Sequence, residues 1–244
     1  MLVELGSVIT LSSIAYRSRF YLFRKRVIAE PVISTEDRAV VGYELLNRSF
    51  IKPSTDRQWT TWNRYLISQS LAMIERDYST WVAINFDMEH ILKFSDFTDT
   101  VRDTTSRHVI EWTERYVSDA YAEKYRTKKR FIEKAAEMLT DVRSRTGAQL
   151  SIDDAGSLDG KTDSITRINL VRPDFVKIDG ELFQNSRDNA HARKSIEGLI
   201  RLSKDIGAIT IMEWVETEGD FELAKGMGAD LVQGYLFPHR HTIT

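Results

Sequence analysis

The most constraining feature of this sequence is an alternation of short apolar runs with longer segments of helical period. The short runs predict strands at 27–34, 40–48, 81–87, 107–114, 149–154, 174–182, 208–216 and 230–237. Helical spacing of apolar residues between them predicts helices, most clearly at 53–77, 119–145, 164–170, 190–206 and 217–227. Eight strands that alternate with helices are typical of an α/β fold of the closed (β/α)8 TIM-barrel kind, and 244 residues suffice for one such domain. Pro31 makes the first run an expected edge or irregular strand.

The composition excludes several classes of site and partner. The chain has no cysteine, which excludes disulfides, thiolate chemistry and cysteine-ligated zinc. Its net charge of -2 argues against DNA or an anionic membrane as the main partner. The five histidines show no ligand-spaced pattern within the predicted barrel.

The first 26 residues are predicted to be a lead-in that packs on a barrel domain at 27–244. The apolar segment 1–16 is too short to span a bilayer and lacks the basic start of a signal peptide. We therefore expect no transmembrane segment and a cytoplasmic location. The basic and aromatic cluster at 17–26 leaves contact with a membrane or a partner open as the alternative.

Polar side chains recur at or near the ends of the predicted strands. A single Glu or Asn at such a position is usually a cap or a turn residue, but a series on successive strands is harder to explain in that way. The active site of such barrels lies at the C-terminal ends of the strands, so we expect these side chains to converge. The residues are Glu44, Asn85, Glu111, Asp153, Asp154, Lys177, Glu213 and Gln233.

The adjacent carboxylates of Asp153 and Asp154 end the fifth predicted strand. Both stay ionised only beside a positive charge, for which a divalent cation is the usual source. The alternative is that one of them caps the next helix. An oxygen-rich site favours Mg²⁺ or Mn²⁺, and converging acids are able to hold two such ions, as in phosphodiester cleavage.

Two basic residues fit the same chemistry. Lys177 would add positive charge near an attacking water or a scissile phosphate, and a salt bridge to a neighbouring acid is the compatible structural alternative. Arg48 shares a predicted strand face with Glu44 and Leu46, from which it would reach a phosphate oxygen.

These residues resemble the motifs of the EAL domain, the bacterial cyclic di-GMP phosphodiesterase family. The match runs in the family's order from about residue 29 to residue 237. The motifs are Glu44-Leu45-Leu46 with Arg48, the strand-end Asn85, Glu111 with Thr113 and Glu114, Asp153-Asp154-Ala155-Gly156, Lys177-Ile178-Asp179, Glu213-Trp214-Val215-Glu216-Thr217 and Gln233-Gly234-Tyr235.

The resemblance implies a barrel with an antiparallel first strand that hydrolyses cyclic di-GMP to linear pGpG with two Mg²⁺ or Mn²⁺ ions. It implies Lys177, Glu213 and Glu216 as catalytic residues, with Glu213 a ligand and a general base. Substrate binding falls to Leu46, Arg48, Asp179 and Gln233, and the active-site loop is held by Glu114. The implied metal ligands are Glu44, Asn85, Glu111, Asp153, Asp154 and Glu213.

Some positions depart from the family pattern. Ala155 stands where the family has Phe, the loop at 155–161 has a displaced second glycine, and Trp214 replaces a glycine close to the metal ligands. These changes leave a second function open, a catalytically impaired cyclic di-GMP receptor or protein-interaction regulator. A hydrolase for another phosphodiester is a third hypothesis. The family expectation of a homodimer also stands as a prediction.

Overall fold

Strands β1 to β8 close into a barrel in their order along the chain. The computed structural model describes residues 27–48, 56–92, 94–113, 128–157 and 163–238. The strands are β1 Val27–Ser34, β2 Val40–Asn47, β3 Trp81–Phe86, β4 His108–Trp112, β5 Gln149–Ala155, β6 Phe175–Ile178, β7 Ile209–Met212 and β8 Leu231–Val232. β1 is antiparallel to both β2 and β8, and the other neighbours are parallel. The predicted barrel with an antiparallel first strand is therefore confirmed.

Helices surround the barrel between successive strands. They are α1 Asp56–Arg76, α2 Met88–Leu92, α3 Phe94–Val101, α4 Lys128–Thr146, α5 Ser164–Val171, α6 Gly180–Asn185, α7 Ala190–Ile206 and α8 Glu218–Met227. Gly207 and Gly228 end α7 and α8 in the left-handed conformation that glycine favours. None of the described helices is long and apolar enough to cross a membrane. Two predictions lie outside the described residues. They are the lead-in at 1–26 and the first part of the predicted helix 119–145, up to residue 127.

The predicted edge character of β1 was wrong, although its irregularity is real. β1 contacts β8 only through Ile33 and Ser34, so Pro31 lies outside that pairing and its missing N–H costs no bond there. The register against β2 shifts between Val32 and Ile33. The strand is thus irregular but closes the barrel.

Three strands end earlier than predicted because the chain turns out of the sheet at specific residues. After Ile178, Asp179 caps α6 by accepting a hydrogen bond from the Leu182 amide at 2.7 Å. β7 ends before Trp214, whose φ of +55° is incompatible with a strand. β8 ends before Gly234, whose φ is +153°. The last polar residues of the predicted strands 208–216 and 230–237 therefore lie on loops at the mouth of the barrel.

The two-residue period of the strands separates an apolar floor from a polar upper layer. Inward-facing side chains in the lower barrel form an apolar cluster of Val32, Ala83, Val109, Phe175, Ile211 and Leu231. Two residues further along five of these strands come Asn85, Glu111, Lys177, Glu213 and Gln233. On β4, Ile110 and Trp112 instead join the outer core beneath the helices, on the face opposite to Val109 and Glu111.

Trp81 fills the lower barrel against Gly42 on the neighbouring strand. A β-carbon at Gly42 would lie 2.3 Å from the Trp81 ring, and the ring also packs on Phe175 at a centroid distance of 4.8 Å. Because interiors are close-packed, this floor leaves no room for a larger residue at position 42.

We expect Gly42→Ala to lower the free energy of unfolding by about 1–3 kcal/mol, the usual cost of overpacking. The control is Gly198→Ala on the exposed face of α7, where a β-carbon meets nothing within 4 Å. The control should raise stability by about 0.5–1 kcal/mol, since alanine is the better helix former. Urea denaturation of both variants checks this, and equal shifts of the same sign would contradict the packing argument.

Candidate active site

The ammonium group of Lys177 lies at the centre of the polar layer, among four carboxylates from four different strands or strand ends. Its Nζ is 2.7 Å from Glu111 Oε1, 2.9 Å from Glu213 Oε1, 3.0 Å from Glu44 Oε2 and 3.1 Å from Asp153 Oδ1. The Lys177 side chain is only 3% exposed. The convergence predicted for these residues is therefore found, and so is the salt-bridge role of Lys177.

Glu44 is the most fully hydrogen-bonded of the four carboxylates. Besides the Lys177 contact, it accepts from Asn85 Nδ2 at 2.5 Å and from Gln233 Nε2 at 2.7 Å. Both amides thus turn their NH₂ groups toward Glu44. Their oxygens, Asn85 Oδ1 and Gln233 Oε1, are buried without a hydrogen-bond partner among the described residues.

The cluster shifts the pKa values of its members in different directions. Burial opposes the charged form of Glu44, but the Lys177 ammonium and the two amide donors outweigh it and lower the pKa of Glu44. Burial raises the pKa of Glu111 well above its usual value, and the neighbouring Glu44 charge adds to this. Burial also raises the pKa of Glu213 strongly, supported by Asp153 and Asp154 against the opposing charge of Lys177.

Lys177 itself stays charged. Burial disfavours its ammonium form, yet the surrounding carboxylates, Asp153 and Glu111 first, raise the pKa of Lys177 well above its ordinary value. A buried charge of this kind is tolerated because it is paired on several sides. The protein groups taken together therefore stabilise the charged form of Lys177 and disfavour the charged forms of Glu111 and Glu213.

Two members of this cluster, Asp153 and Glu213, also form a more accessible carboxylate group with Asp154. One oxygen of each lies within 4.8 Å of the others, and all three side chains are partly exposed. Asp154 has a φ of +51°, a conformation that Asp tolerates better than most residues and that turns the chain directly after Asp153. Three converging carboxylates are a suitable oxygen donor set for a divalent cation.

The wider donor set also fits divalent metal. Asn85 Oδ1 is a buried carbonyl oxygen without a hydrogen-bond partner in the described part of the chain, and such an acceptor is costly unless a ligand satisfies it. Asn85 belongs to the same polar layer of the barrel as Glu44 and Glu111. The residues that the sequence predicts as metal ligands therefore offer only oxygen atoms, which suits Mg²⁺ or Mn²⁺.

A cavity of about 650 Å³ opens above the cluster. Its wall contains most of the polar groups described above, though not the deeply buried Glu111, together with Leu46, Arg48 and Glu216. Arg48 is half exposed and lies 3.4 Å from Glu30 Oε2 across β1 and β2. Glu216 is exposed and lies outside the contacts of Lys177. Cavities of this size accept ligands of roughly drug or nucleotide size.

Among the described residues, the predicted site residue Asp179 does not line the cavity. It falls within the predicted strand 174–182, but β6 ends at Ile178 and the Asp179 carboxylate caps α6. Burial raises the pKa of Asp179. Glu114 lies outside the described residues. The roles implied for both by family resemblance stay predictions.

The sequence interpretation missed Arg167, which holds the backbone of the site. This buried arginine on α5 donates from Nη1 to the Trp112 carbonyl at 3.0 Å and from Nη2 to the Asp153 carbonyl at 3.2 Å. It ties the ends of β4 and β5 together and so positions Asp153. An arginine on the buried face of α5, beside Ile168 and Val171, was the available signal.

The cavity wall also has aromatic side chains, of which the sequence interpretation singled out only Trp214, as a replacement for a glycine close to the predicted metal ligands. Trp59 and His90 line the cavity, and their rings contact each other at a centroid distance of 4.3 Å and an interplanar angle of 58°. Trp214 lies at the mouth and is 54% exposed, so it lines the cavity without filling it. Trp59 and His90 lie on helices and Trp214 lies on a loop. None of them follows the strand-end pattern from which the other site residues were predicted.

Lys177→Met should destabilise the protein by about 3–5 kcal/mol in the presence of a chelator, because it leaves buried carboxylates uncompensated. The loss should be smaller at pH 5, where Glu111 and Glu213 more readily hold protons, and Mn²⁺ should restore part of it at pH 8. The control is Lys225→Met on the exposed face of α8, which should change stability by less than about 0.5 kcal/mol. Equal denaturant midpoints for the two variants would contradict the central role of the Lys177 charge.

Comparisons with known proteins agree with this geometry. TpdA of Vibrio parahaemolyticus, a cyclic di-GMP phosphodiesterase, is 27% identical over 232 residues, which cover 89% of this chain and 38% of TpdA. The Bacillus subtilis YkuI protein, solved with its substrate c-di-GMP and calcium, is 22% identical with a TM-score of 0.66, covering 89% of this chain and 55% of that one. Klebsiella pneumoniae BlrP1, solved with manganese and cy-diGMP, is 20% identical with a TM-score of 0.70, covering 89% and 56%.

The structural likenesses confirm the fold. The chain spans well under half the length of the curated relatives that it matches. A family model, described as the EAL domain, matches residues 25–239. This match covers most of the sequence and includes every residue of the Lys177 cluster, and the chain therefore belongs to the EAL domain family.

Proposed function

We propose that this protein is a metal-dependent phosphodiesterase that hydrolyses cyclic di-GMP to linear pGpG. The observation that carries the proposal is the convergence of four carboxylates and two amides around Lys177 at the C-terminal mouth of an EAL barrel. A module that only bound a partner would not need buried acids whose charges have to be compensated.

The donor set supports two Mg²⁺ or Mn²⁺ ions. Asp153, Asp154 and Glu213 would hold one ion. Glu44, Asn85 and Glu111 would hold the other. When bound, such ions lower the pKa of a water and neutralise charge on a scissile phosphate.

The remaining steps are assigned to the chain's own side chains. Lys177 keeps its charge beside the carboxylates and stabilises the negative charge that develops as water attacks phosphorus. Glu213, 2.9 Å from the Lys177 ammonium in the same cluster, is assigned as the general base for that water, directly or through a second water. Attack on one of the two phosphodiester bonds opens the ring and leaves the linear dinucleotide.

Several residues of the cavity wall are proposed to contact the substrate or to orient groups that do. Arg48, half exposed at the mouth, would bind the phosphate that is not cleaved. Gln233 and Asn85 orient Glu44, and Leu46 contributes an apolar contact. Glu216 would support the site from its exposed position at the mouth. The names of TpdA and of the cyclic di-GMP complexes support this substrate for the chain.

The test is turnover of cyclic di-GMP by the purified protein with Mn²⁺ or Mg²⁺, followed by chromatography of pGpG. Asp153→Asn should reduce kcat by at least about a hundredfold, since it removes a charge from the ligand set while keeping the side chain's size. The control is Asp205→Asn on the exposed face of α7, the same chemical change away from the cavity, and it should leave the rate unchanged.

Each outcome distinguishes the hypotheses. Metal-dependent product that is lost in Asp153→Asn supports the phosphodiesterase. Binding of cyclic di-GMP in calorimetry without product would contradict it and favour the receptor. Product from another phosphodiester but not from cyclic di-GMP would favour a hydrolase of different specificity.

A further inference from the structure

Trp214 is held in an unusual conformation at the mouth of the cavity. It directly follows Glu213, its φ is +55°, and its side chain is 54% exposed. A left-handed backbone is disfavoured for a residue with a β-carbon, and it persists only where neighbouring contacts fix it. Here Gln184 Nε2 donates to the Trp214 carbonyl at 2.6 Å, and the next amide, of Val215, donates to the Gln233 carbonyl at 3.0 Å.

Gly180 provides a seat for the indole ring. A β-carbon at Gly180 would lie 2.1 Å from Trp214 Cγ, 2.3 Å from Cδ2 and 2.5 Å from Cδ1. The ring therefore rests on the bare α-carbon at the first residue of α6, where no larger side chain fits without displacing it. With this part of the ring covered, the rest of the side chain remains open to solvent beside the cavity.

A second exposed aromatic side chain comes from the adjoining segment. Tyr235 is 65% exposed and lines the same cavity. Its segment abuts that of Trp214, because the Leu236 amide donates to the Val215 carbonyl at 3.0 Å and a β-carbon at Gly234 would lie 2.4 Å from the Val215 backbone. The mouth thus combines a buried set of phosphate- and metal-binding groups with exposed aromatic surface.

We propose that Trp214, seated on Gly180, is a stacking platform for one purine base of the cyclic dinucleotide and a specificity-determining residue of this enzyme. This inference rests on the proposed function. A base has a flat apolar face and the Lys177 cluster has none to offer it, so the exposed indole supplies the contact that the polar layer lacks. The strained backbone at Trp214 keeps the ring at the mouth before the ligand arrives.

The test measures binding rather than turnover. Cyclic di-GMP is titrated calorimetrically into the wild type and Trp214→Gly with Ca²⁺, the ion present with c-di-GMP in the YkuI complex. Trp214→Gly should weaken binding about tenfold or more, within the range for loss of one base stack, and Trp214→Phe should recover most of it. Trp214→Gly should also raise the thermal midpoint, since glycine suits the positive φ, and should leave Mn²⁺ affinity unchanged.

Gly180→Ala supplies a second, independent test. Its β-carbon should displace the indole and weaken cyclic di-GMP binding in the wild-type background, yet have little further effect in Trp214→Gly, because the two residues act through one contact. Equal affinities of wild type and Trp214→Gly would overturn the platform while leaving the phosphodiesterase proposal intact. Absence of cyclic di-GMP binding by the wild type would instead overturn the proposed function itself, and additive losses would show that Gly180 does not act through Trp214.

Discussion

The structure of this site depends on one buried ammonium group. Lys177 reaches the centre of the barrel mouth and contacts Glu44, Glu111, Asp153 and Glu213 within 3.1 Å. Four acids would not stay together in a buried layer without such a charge, because their mutual repulsion and desolvation would favour protonation or separation. The lysine therefore holds the carboxylates together, while burial still raises the pKa values of Glu111 and Glu213.

The barrel explains why the ligand set forms from distant parts of the sequence. Five of the parallel strands contribute an apolar residue to the floor and, two residues later, a polar one to the layer above. The floor is closed by Trp81 on Gly42, so the polar layer is accessible from the mouth through the cavity. Arg167 adds a brace behind this layer by holding the carbonyls of Trp112 and Asp153. Rigid strands and a braced backbone keep the carboxylate oxygens in place, which a two-metal site requires.

Much of the site was predictable because strand periodicity and strand ends are local signals. Glu44, Asn85, Glu111, Asp153, Lys177 and Glu213 were identified from such positions, and the barrel brings them together. The ends of β6, β7 and β8 were not predictable from apolar pattern, because they are set by a cap at Asp179 and by positive φ at Trp214 and Gly234. Arg167 and the seat of Trp214 on Gly180 depend on contacts between elements far apart in the sequence, which no local pattern encodes.

The most direct test of this account is a calorimetric titration of the chelator-treated protein with Mn²⁺ between pH 6 and pH 8, in buffers of different ionisation enthalpy. If the Lys177 cluster is a divalent-metal site, Mn²⁺ should bind and release protons, because Glu111 and Glu213 must lose protons that their raised pKa values help them keep. Affinity should therefore rise with pH, and Asp153→Asn should weaken it. An absence of Mn²⁺ binding, or binding that is independent of pH and of Asp153, would contradict the claim that these carboxylates form a metal site.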